Sequence, residues 1–253
     1  MTAPSASSPK LLAALGIAVF VATLIAHAPA SLLASSIALP AFSYESVDGT
    51  VWKGVIKGAV VNGTPMGDVS FRVRPLALLT GKFAADLDAR GGAVTGRGSA
   101  GAGIGGYFIQ DADLAVDLGG VRRYGFMGAP LEGRASAKID RVVLSAKGCR
   151  AAAGTIWTNA LNAPARRLNG EGFDLDGAAR CDGRDLVIEL SGQGAEGGGR
   201  LAMRLKPGLT YTLEASAQPV RADLEEALVY MGFQRENGVL TYASTGAIRA
   251  AGS

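Results

Sequence analysis

An uncharged run near the N-terminus constrains this chain more than any other feature. No Asp, Glu, Lys or Arg occurs between Leu11 and Tyr44. Its most apolar part, Leu11 to Ala26, has the composition of a bilayer helix and lies at the short end of the roughly 17–25 residues that a span requires. The only charges before it are Lys10 and the α-amino group, and the next is Glu45, so the positive-inside bias keeps the N-terminus in the cytoplasm. We therefore expect an anchor over residues 11–28, with the rest of the chain exported.

Two other interpretations of this run stay open. Ala26-His27-Ala28 and Ala28-Pro29-Ala30 have the form that a signal peptidase accepts. A retained anchor is favoured, because apolar sequence continues past these sites to Leu39, and either outcome exports the domain. A buried helix of a soluble core is the third interpretation, disfavoured because Gly16 is the only helix breaker in a stretch that is apolar on every side.

The remaining chain has the period of β-strands. From Phe42 onwards, segments with apolar residues at alternate positions recur about every ten residues, separated by Gly-containing turns, as in Asp68 to Arg74. This pattern predicts a mainly β fold with one curved antiparallel sheet, covered on one face. The chain then divides into a cytoplasmic stub, a transmembrane anchor, a juxtamembrane connector and a β-rich domain, at residues 1–10, 11–28, 29–41 and 42–253.

Two features subdivide the β-rich domain. Asp223 to Met231 reads as a short late helix, with Asp223 as its cap and Gly232 at its end. Gly49 to Trp52 and Gly154 to Trp157 share the pattern G-T-(V/I)-W and contain both Trp residues of the chain. This echo suggests two similar half-sheets, at 42–143 and 144–253, although a chance match of four residues is the alternative.

The chain contains two cysteines, Cys149 and Cys181. In an exported protein an even pair is best interpreted as a disulfide, whereas metal sites use closer pairs and further ligands. Two unpaired buried thiols are the alternative.

Several classes of function find little support in the residues. The formal net charge is +3 with no block of basic residues, which argues against nucleic-acid binding. His27 is the only histidine, so the domain lacks the residue that most zinc and triad sites use. Carboxylates spaced by two, such as Asp111 and Asp113, are typical of a solvated strand face, although a glycosidase-like pair is the alternative. Residues 91–106 match a dinucleotide fingerprint without the helix it needs, and we interpret them as a flexible loop or wide hairpin. We predict no catalytic, cofactor-binding or metal-binding residues.

The order of these features resembles the type II secretion system protein N family. The resemblance rests on the N-terminal apolar run and on short motifs that follow in the family's order: Gly49 to Gly54, Arg74 to Gly81, Cys149 with Gly154 to Leu161, Cys181, and Tyr211 to Ala217 with the helix after it. It implies a non-catalytic, single-pass protein of the bacterial inner membrane, with a periplasmic domain that contacts other secretion subunits.

The opening of the domain is also similar to AsmA-like proteins, whose bridge-like sheets form lipid-binding grooves. That similarity implies a periplasmic lipid-binding or lipid-transfer protein as the alternative. Both resemblances imply that Trp52 and Trp157 are structural, anchoring strands within the core, and that an interface lies along an exposed sheet edge.

Overall fold

A computed structural model describes residues 9–31, 42–61, 63–121, 125–126, 129–130, 132–208 and 210–247. Four α-helices and a 3-10 helix lie in these ranges: α1 (Pro9–Ala26), α2 (Pro75–Leu78), α3 (Asn162–Arg167), α4 (Ala222–Tyr230) and the 3-10 turn Leu118–Gly120. The seventeen strands are β1 (Phe42–Ser43), β2 (Ser46–Thr50), β3 (Lys53–Val61), β4 (Thr64–Val73), β5 (Lys82–Gly91), β6 (Val94–Gly103), β7 (Gly106–Asp117), β8 (Gly125–Phe126), β9 (Ala129–Pro130), β10 (Arg134–Ser145), β11 (Gly148–Thr158), β12 (Leu175–Asp182), β13 (Asp185–Gly194), β14 (Gly197–Leu205), β15 (Thr210–Pro219), β16 (Gln234–Glu236) and β17 (Val239–Ala247).

Fifteen of these strands form one open antiparallel sheet, which confirms the predicted mainly β fold. Strands from β3 to β15 follow one another in chain order, except that the short hairpin β8–β9 stands apart between β7 and β10. β1 and β2 both pair with β3 at one edge, and β17 and β16 complete the other. A meander of this kind needs only short connections, so the sheet elongates strand by strand.

The sheet passes without interruption through the boundary proposed between two halves. β7 pairs with β10 from Asp117 opposite Arg134 to Tyr107 opposite Leu144. Residues 143 and 144 both lie inside β10. The two G-T-(V/I)-W stretches also occupy different places, since Gly49 to Trp52 ends β2 and enters a turn, whereas Gly154 to Trp157 lies within β11.

The N-terminal apolar run forms helix α1, eighteen residues long. In the described part of the chain, none of the helices combines the length and the apolarity that a bilayer span requires. The chain beyond α1 is bonded to the first hairpin, because Pro29 pairs with Thr50 and the N–H of Val51 donates to the carbonyl oxygen of Ala28.

The glycine-rich segment at residues 91–106 is not a flexible loop, one of the two forms that we expected for it. It contains β6, which pairs along its length with β5 and β7. The ring of Phe108 on β7 explains one of its glycines: a Cβ on Gly101 would lie 2.4 Å from Cζ of that ring and 2.2 Å from the carbonyl oxygen of Phe83. Glycine here leaves room for a cross-strand aromatic side chain instead of loosening the backbone.

The predicted late helix is present as α4, but its N-terminal cap is different. Arg221 occupies the N-cap position, and Asp223 lies in the first turn, where its carboxylate accepts hydrogen bonds from Arg221 and from the N–H of Leu224. Gly232 follows the helix with a φ of +97°, a conformation that glycine adopts at little cost.

Candidate binding surfaces

The register of the strands separates one apolar face of the sheet from a polar one. Residues directly opposite each other on paired antiparallel strands point to the same side and form rows across the sheet. One row crosses six strands and contains Val73, Ala85, Ala100, Ile109, Val142 and Ala152. Another crosses β12 to β15 and contains Cys181, Leu186, Leu205 and Tyr211. Both rows lie on the side that we call the apolar face, and neither contains a charged residue.

In its C-terminal part the apolar face is densely packed. Val142, Cys149, Ala179 and Leu186 form a buried cluster there, each no more than 9% exposed. The Cys149–Cys181 disulfide joins β11 to β12 within this cluster, with 5.7 Å between the two Cα atoms. The strands here are therefore held by side-chain packing and by a covalent bond.

In its N-terminal part the same face is open. Four large side chains on β5 and β7 are exposed there: Phe83 by 42%, Leu87 by 38%, Tyr107 by 72% and Ile109 by 39%. Neighbouring large apolar side chains that remain in contact with water on a folded domain are typical of a binding surface. This open part of the apolar face is the first candidate surface.

The polar face bears charges in an alternating order. Along one row, Asp88 on β5 lies opposite Arg97 on β6, Arg97 lies opposite Asp113 on β7, and Asp113 lies opposite Lys138 on β10. Opposite charges at directly facing positions attract across the strands. The carboxylate of Asp113, considered above as a catalytic candidate, therefore lies in a charge ladder between two cations.

A hydrogen-bonded group on the same face joins the β4–β5 connection to β6. The guanidinium of Arg74 donates to both carboxylate oxygens of Asp86, at 3.1 and 2.5 Å, and also to Oγ of Ser99 at 2.8 Å. Ser99, which is 6% exposed, donates in turn to Asp86 over 2.7 Å. The bond from Arg74, with a smaller contribution from Ser99, holds the pKa of Asp86 below its usual value, against an opposing effect of burial.

The C-terminal edge of the sheet is only partly covered. β16 pairs with Val239 to Thr241 and leaves the remainder of β17, Tyr242 to Ala247, with a described partner on one side only. The backbone N–H and C=O groups of successive residues in an antiparallel strand point alternately to its two sides. Those of Val239 and Thr241 point towards β16, so those of Ala243 and Thr245 point the same way, outward from the sheet. Both residues are exposed. This open edge is the second candidate surface.

The two tryptophans are partly exposed and lie at opposite ends of the sheet. Nε1 of Trp157, near the end of β11, donates to the carboxylate of Asp174 over 3.1 Å. Trp52 lies in the β2–β3 turn, and its carbonyl oxygen accepts from the N–H of Val73 at 2.7 Å. Each tryptophan bonds to a second segment of chain, while the structural role expected of them stays a prediction.

Asp111 and Asp113 do not follow simple strand alternation. Asp111 has a φ of +49°, and the register between β6 and β7 skips it, since Arg97 pairs with Asp113 and Ser99 pairs with Gln110. A bulge of this kind turns a side chain out of its row. Within the described residues, no three His, Cys, Asp or Glu side chains lie together in an arrangement that suits a metal ion.

A family model, that of type II secretion system protein N, matches residues 40–242. The match covers 242 − 40 + 1 = 203 of the 253 residues. The chain belongs to the type II secretion system protein N family. It is therefore a component of a type II secretion system. No curated protein and no solved structure matches the chain.

The match to the protein N family begins after α1 and ends inside β17. It includes both motifs that open the domain, Gly49 to Gly54 and Arg74 to Gly81. The bond from Val73 to Trp52 places these motifs side by side, although nineteen residues, 55–73, separate them in the sequence. In this member of the protein N family, they form adjacent connections at one end of the sheet.

The resemblance implied an interface along an exposed sheet edge, but sequence reasoning identified neither the open part of β17 nor the Arg74–Asp86–Ser99 group. The edge depends on how much of β17 the short β16 covers, and no local pattern encodes that length. The sequence contains a partial signal for the Arg74–Asp86–Ser99 group, because Arg74 and Asp86 both lie in or beside segments with strand alternation. Their pairing, however, depends on the β4–β5 register.

Proposed function

We propose that this chain is a non-catalytic, inner-membrane component of the type II secretion system, with its β-rich domain in the periplasm. The observation that carries the proposal is the family match over residues 40–242. Protein partners are the other subunits of the secretion system.

The charge distribution of the N-terminal run supports the membrane location. Helix α1 has no acidic residue in its first turn and no basic residue in its last turn. Most of its described side chains are apolar and exposed, including Leu15, Ile17 and Phe20. Exposed apolar side chains on a helix need another apolar environment, which a bilayer supplies. The single Lys before the run directs the N-terminus to the cytoplasm.

The open edge of β17 supports contact with other subunits. An unpaired edge offers backbone donors and acceptors to a strand of another chain, and proteins use such edges for strand addition. Residues 242–247 carry no charge and no Pro, the devices that most often block an edge. We infer that a secretion subunit pairs with this edge.

Photocrosslinking in living cells tests this proposal. A photoreactive residue replaces Thr245 on the open edge, and a matched control replaces Arg97, which is also exposed but lies on the polar face. We expect a crosslink from position 245 to a type II secretion subunit and none from position 97. Equal yields of the same partners from both positions would contradict an edge contact.

A second function is favoured by one observation, the open part of the apolar face. Phe83, Leu87, Tyr107 and Ile109 present apolar surface that suits an acyl chain. On this alternative the protein binds or transfers lipid in the periplasm, as the similarity to AsmA-like proteins implies.

The same method separates the two functions. Leu87 on β5 pairs with Gly98 on β6, the residue that follows Arg97. The side chains of Leu87 and Arg97 are therefore near each other along the strands but lie on opposite faces of the sheet. A photoreactive residue at position 87 that captures phospholipid or lipopolysaccharide, with none captured from position 97, would favour lipid binding. Capture of secretion subunits from position 245 together with no lipid from position 87 would favour the first function alone.

A further inference from the structure

We propose that one end of the sheet docks onto an anionic phospholipid bilayer, in addition to the tether that α1 provides. The docking surface is formed by the connections at residues 51–52, 74–81, 104–105, 146–147 and 183–184. Antiparallel order places all of them at the same end of their strands. We call this the anchor-end surface, and the inference rests on the membrane anchoring proposed above.

The chain leaves α1 at this end of the sheet. The carbonyl oxygen of Ala28, two residues beyond the helix, accepts a bond of 2.9 Å from Val51 in the first of these connections. If α1 lies in a bilayer, a strand pairing between Pro29 and Thr50 keeps the β2–β3 turn close to the membrane. The point at which the chain leaves α1 thus determines which end of the domain faces the lipid.

Apolar side chains project from this end into water. Ile104, at the tip of the β6–β7 turn, is 100% exposed, and Leu76 and Leu79 in the β4–β5 connection are 77% and 83% exposed. The two connections are adjacent, because a Cβ on Gly81 would lie 3.7 Å from Cδ1 of Ile104. Large apolar side chains at loop tips gain free energy by entering the interfacial region of a bilayer.

Aromatic residues border these tips. Tyr107, the second residue of β7, follows Ile104 by three residues and is 72% exposed, and Trp52 lies in the β2–β3 turn beside the β4–β5 connection. Tyr and Trp are enriched at membrane–water interfaces, where their rings contact acyl chains and their polar atoms stay hydrated. Both flank the apolar tips at the level that such an interface would occupy.

Exposed cations complete the surface. They come from five separate stretches of the sequence, and the antiparallel order collects them at one end: Lys53, Lys82, Lys147 with Arg150, Arg184 and Lys206. In the described part of the chain, none of these six forms an ion pair with Asp or Glu. The two acidic residues that flank Arg184, Asp182 and Asp185, are both bonded to Arg204.

The opposite end of the sheet differs in charge. Its connections contain two carboxylates without a described ion pair, Glu171 and Glu226, and three, Glu132, Glu196 and Glu225, that pair with Arg167, Arg221 and Arg235. The connections of the anchor-end surface contain no Asp or Glu. Anionic lipid headgroups attract cations near the surface and repel carboxylates. Charge therefore favours the same orientation as the position of α1 and the apolar tips.

A fluorescent probe at the tip tests the inference on the full chain. The two native cysteines are bonded to each other, so Ile104→Cys introduces one free thiol for an environment-sensitive dye. Val220→Cys provides the matched control, because Val220 is 75% exposed and follows β15 at the opposite end. Each labelled protein is reconstituted into vesicles of phosphatidylethanolamine and phosphatidylglycerol that contain brominated lipid.

We expect brominated lipid to quench the dye at position 104 and to leave the dye at position 220 unaffected. Flotation of the vesicles reports insertion of α1 separately. Protein that does not float would refute the anchoring, whereas protein that floats with equal quenching at both positions, or none at either, would refute docking alone.

Charge reversal tests the part played by the cations. Lys82→Glu together with Arg150→Glu, in the labelled Ile104→Cys protein, should lower the docked-to-undocked ratio by roughly tenfold or more on anionic vesicles. Arg166→Glu, at an exposed position in α3 at the other end, serves as the control and should change little. Undiminished quenching in the double charge-reversal variant, or the same quenching on vesicles of phosphatidylcholine alone, would contradict recognition of anionic lipid.

Discussion

The N–H of Val51 donates a hydrogen bond of 2.9 Å to the carbonyl oxygen of Ala28. This bond joins the residues that follow α1 to the β2–β3 turn. It lies at the end of the sheet where the Gly49 to Gly54 and Arg74 to Gly81 motifs meet. If α1 is the membrane anchor proposed above, this bond gives the domain a defined orientation relative to the membrane, which a free linker would not.

The disulfide should contribute substantially to stability. Cys149 and Cys181 are 32 residues apart, and closing a loop of that size stabilises a fold by about 3–4 kcal/mol on the chain-entropy model. We expect Cys149→Ala with Cys181→Ala to lower the free energy of unfolding by about this amount, measured in urea without reductant. Dithiothreitol should destabilise the original protein and leave the double variant unchanged; a reductant effect of equal size on both would contradict this account.

Protonation of Asp86 should weaken the domain in acid. Its bond with Arg74 lowers the pKa of the folded-state carboxyl, so the folded form binds a proton less readily than the unfolded form. The resulting stability is present above the ordinary carboxyl pKa of about 4 and is lost as the pH falls through the lower folded-state value. Because both side chains are largely exposed, we expect Asp86→Asn to cost only about 1 kcal/mol at neutral pH.

Urea unfolding of the original protein and Asp86→Asn at several pH values measures this effect. The difference between the two should shrink as the pH falls below about 4. Arg74→Gln should remove the same pH-dependent part, and the double variant should lose little more than either single variant. A difference between the proteins that stays constant down to low pH would show that the ion pair is not its source.

Gly101 should be far less tolerant of substitution than Gly198. A Cβ at position 101 would lie 2.2 Å from a backbone oxygen, whereas the nearest atom to a Cβ at position 198 is 3.4 Å away. We expect Gly101→Ala to destabilise the fold by about 2–3 kcal/mol and Gly198→Ala to change it by less than about 0.5 kcal/mol. Equal thermal denaturation midpoints for the two variants would contradict the packing of Phe108 over Gly101.

Trp157 should stabilise the fold through its bond to Asp174. Trp157→Phe keeps most of the ring and removes the donor, so we expect a loss of about 1 kcal/mol in urea unfolding. Asp174→Asn retains an acceptor for Nε1 and should cost less than Asp174→Ala. Full stability in Trp157→Phe would indicate that the indole N–H has no structural role.

The sheet was predictable from sequence because its signal is local. Alternation in segments such as Asp68 to Arg74 reports which residues face the same side, and the strands follow one another along the chain. The Gly-rich β6 was not predictable in this way, because Gly101 is explained by the ring of Phe108 on the next strand. Composition alone suggested a flexible loop or a wide hairpin.

The candidate surfaces were harder to predict because each depends on several strands at once. Lys82 and Arg150 appear as isolated charges in the sequence, and only the antiparallel order brings them to one end of the sheet. The open edge depends on β16 ending after three residues, whereas β17 has nine. The N-cap of α4 shows the same limit, since Arg221 bonds to Glu196 on a distant turn and to Asp223.

Secretion by cells that carry an edge variant tests whether a strand of another subunit adds to β17. Thr245→Pro removes an outward N–H from β17 while leaving the side of the strand that pairs with β15, and Thr245→Ala keeps the N–H. In cells that lack the native copy, we expect Thr245→Ala to restore the release of type II substrates into the medium and Thr245→Pro to restore much less, at equal amounts of disulfide-bonded protein. Full secretion with Thr245→Pro would contradict strand addition at β17, and unimpaired secretion in cells without any copy would contradict a role in secretion.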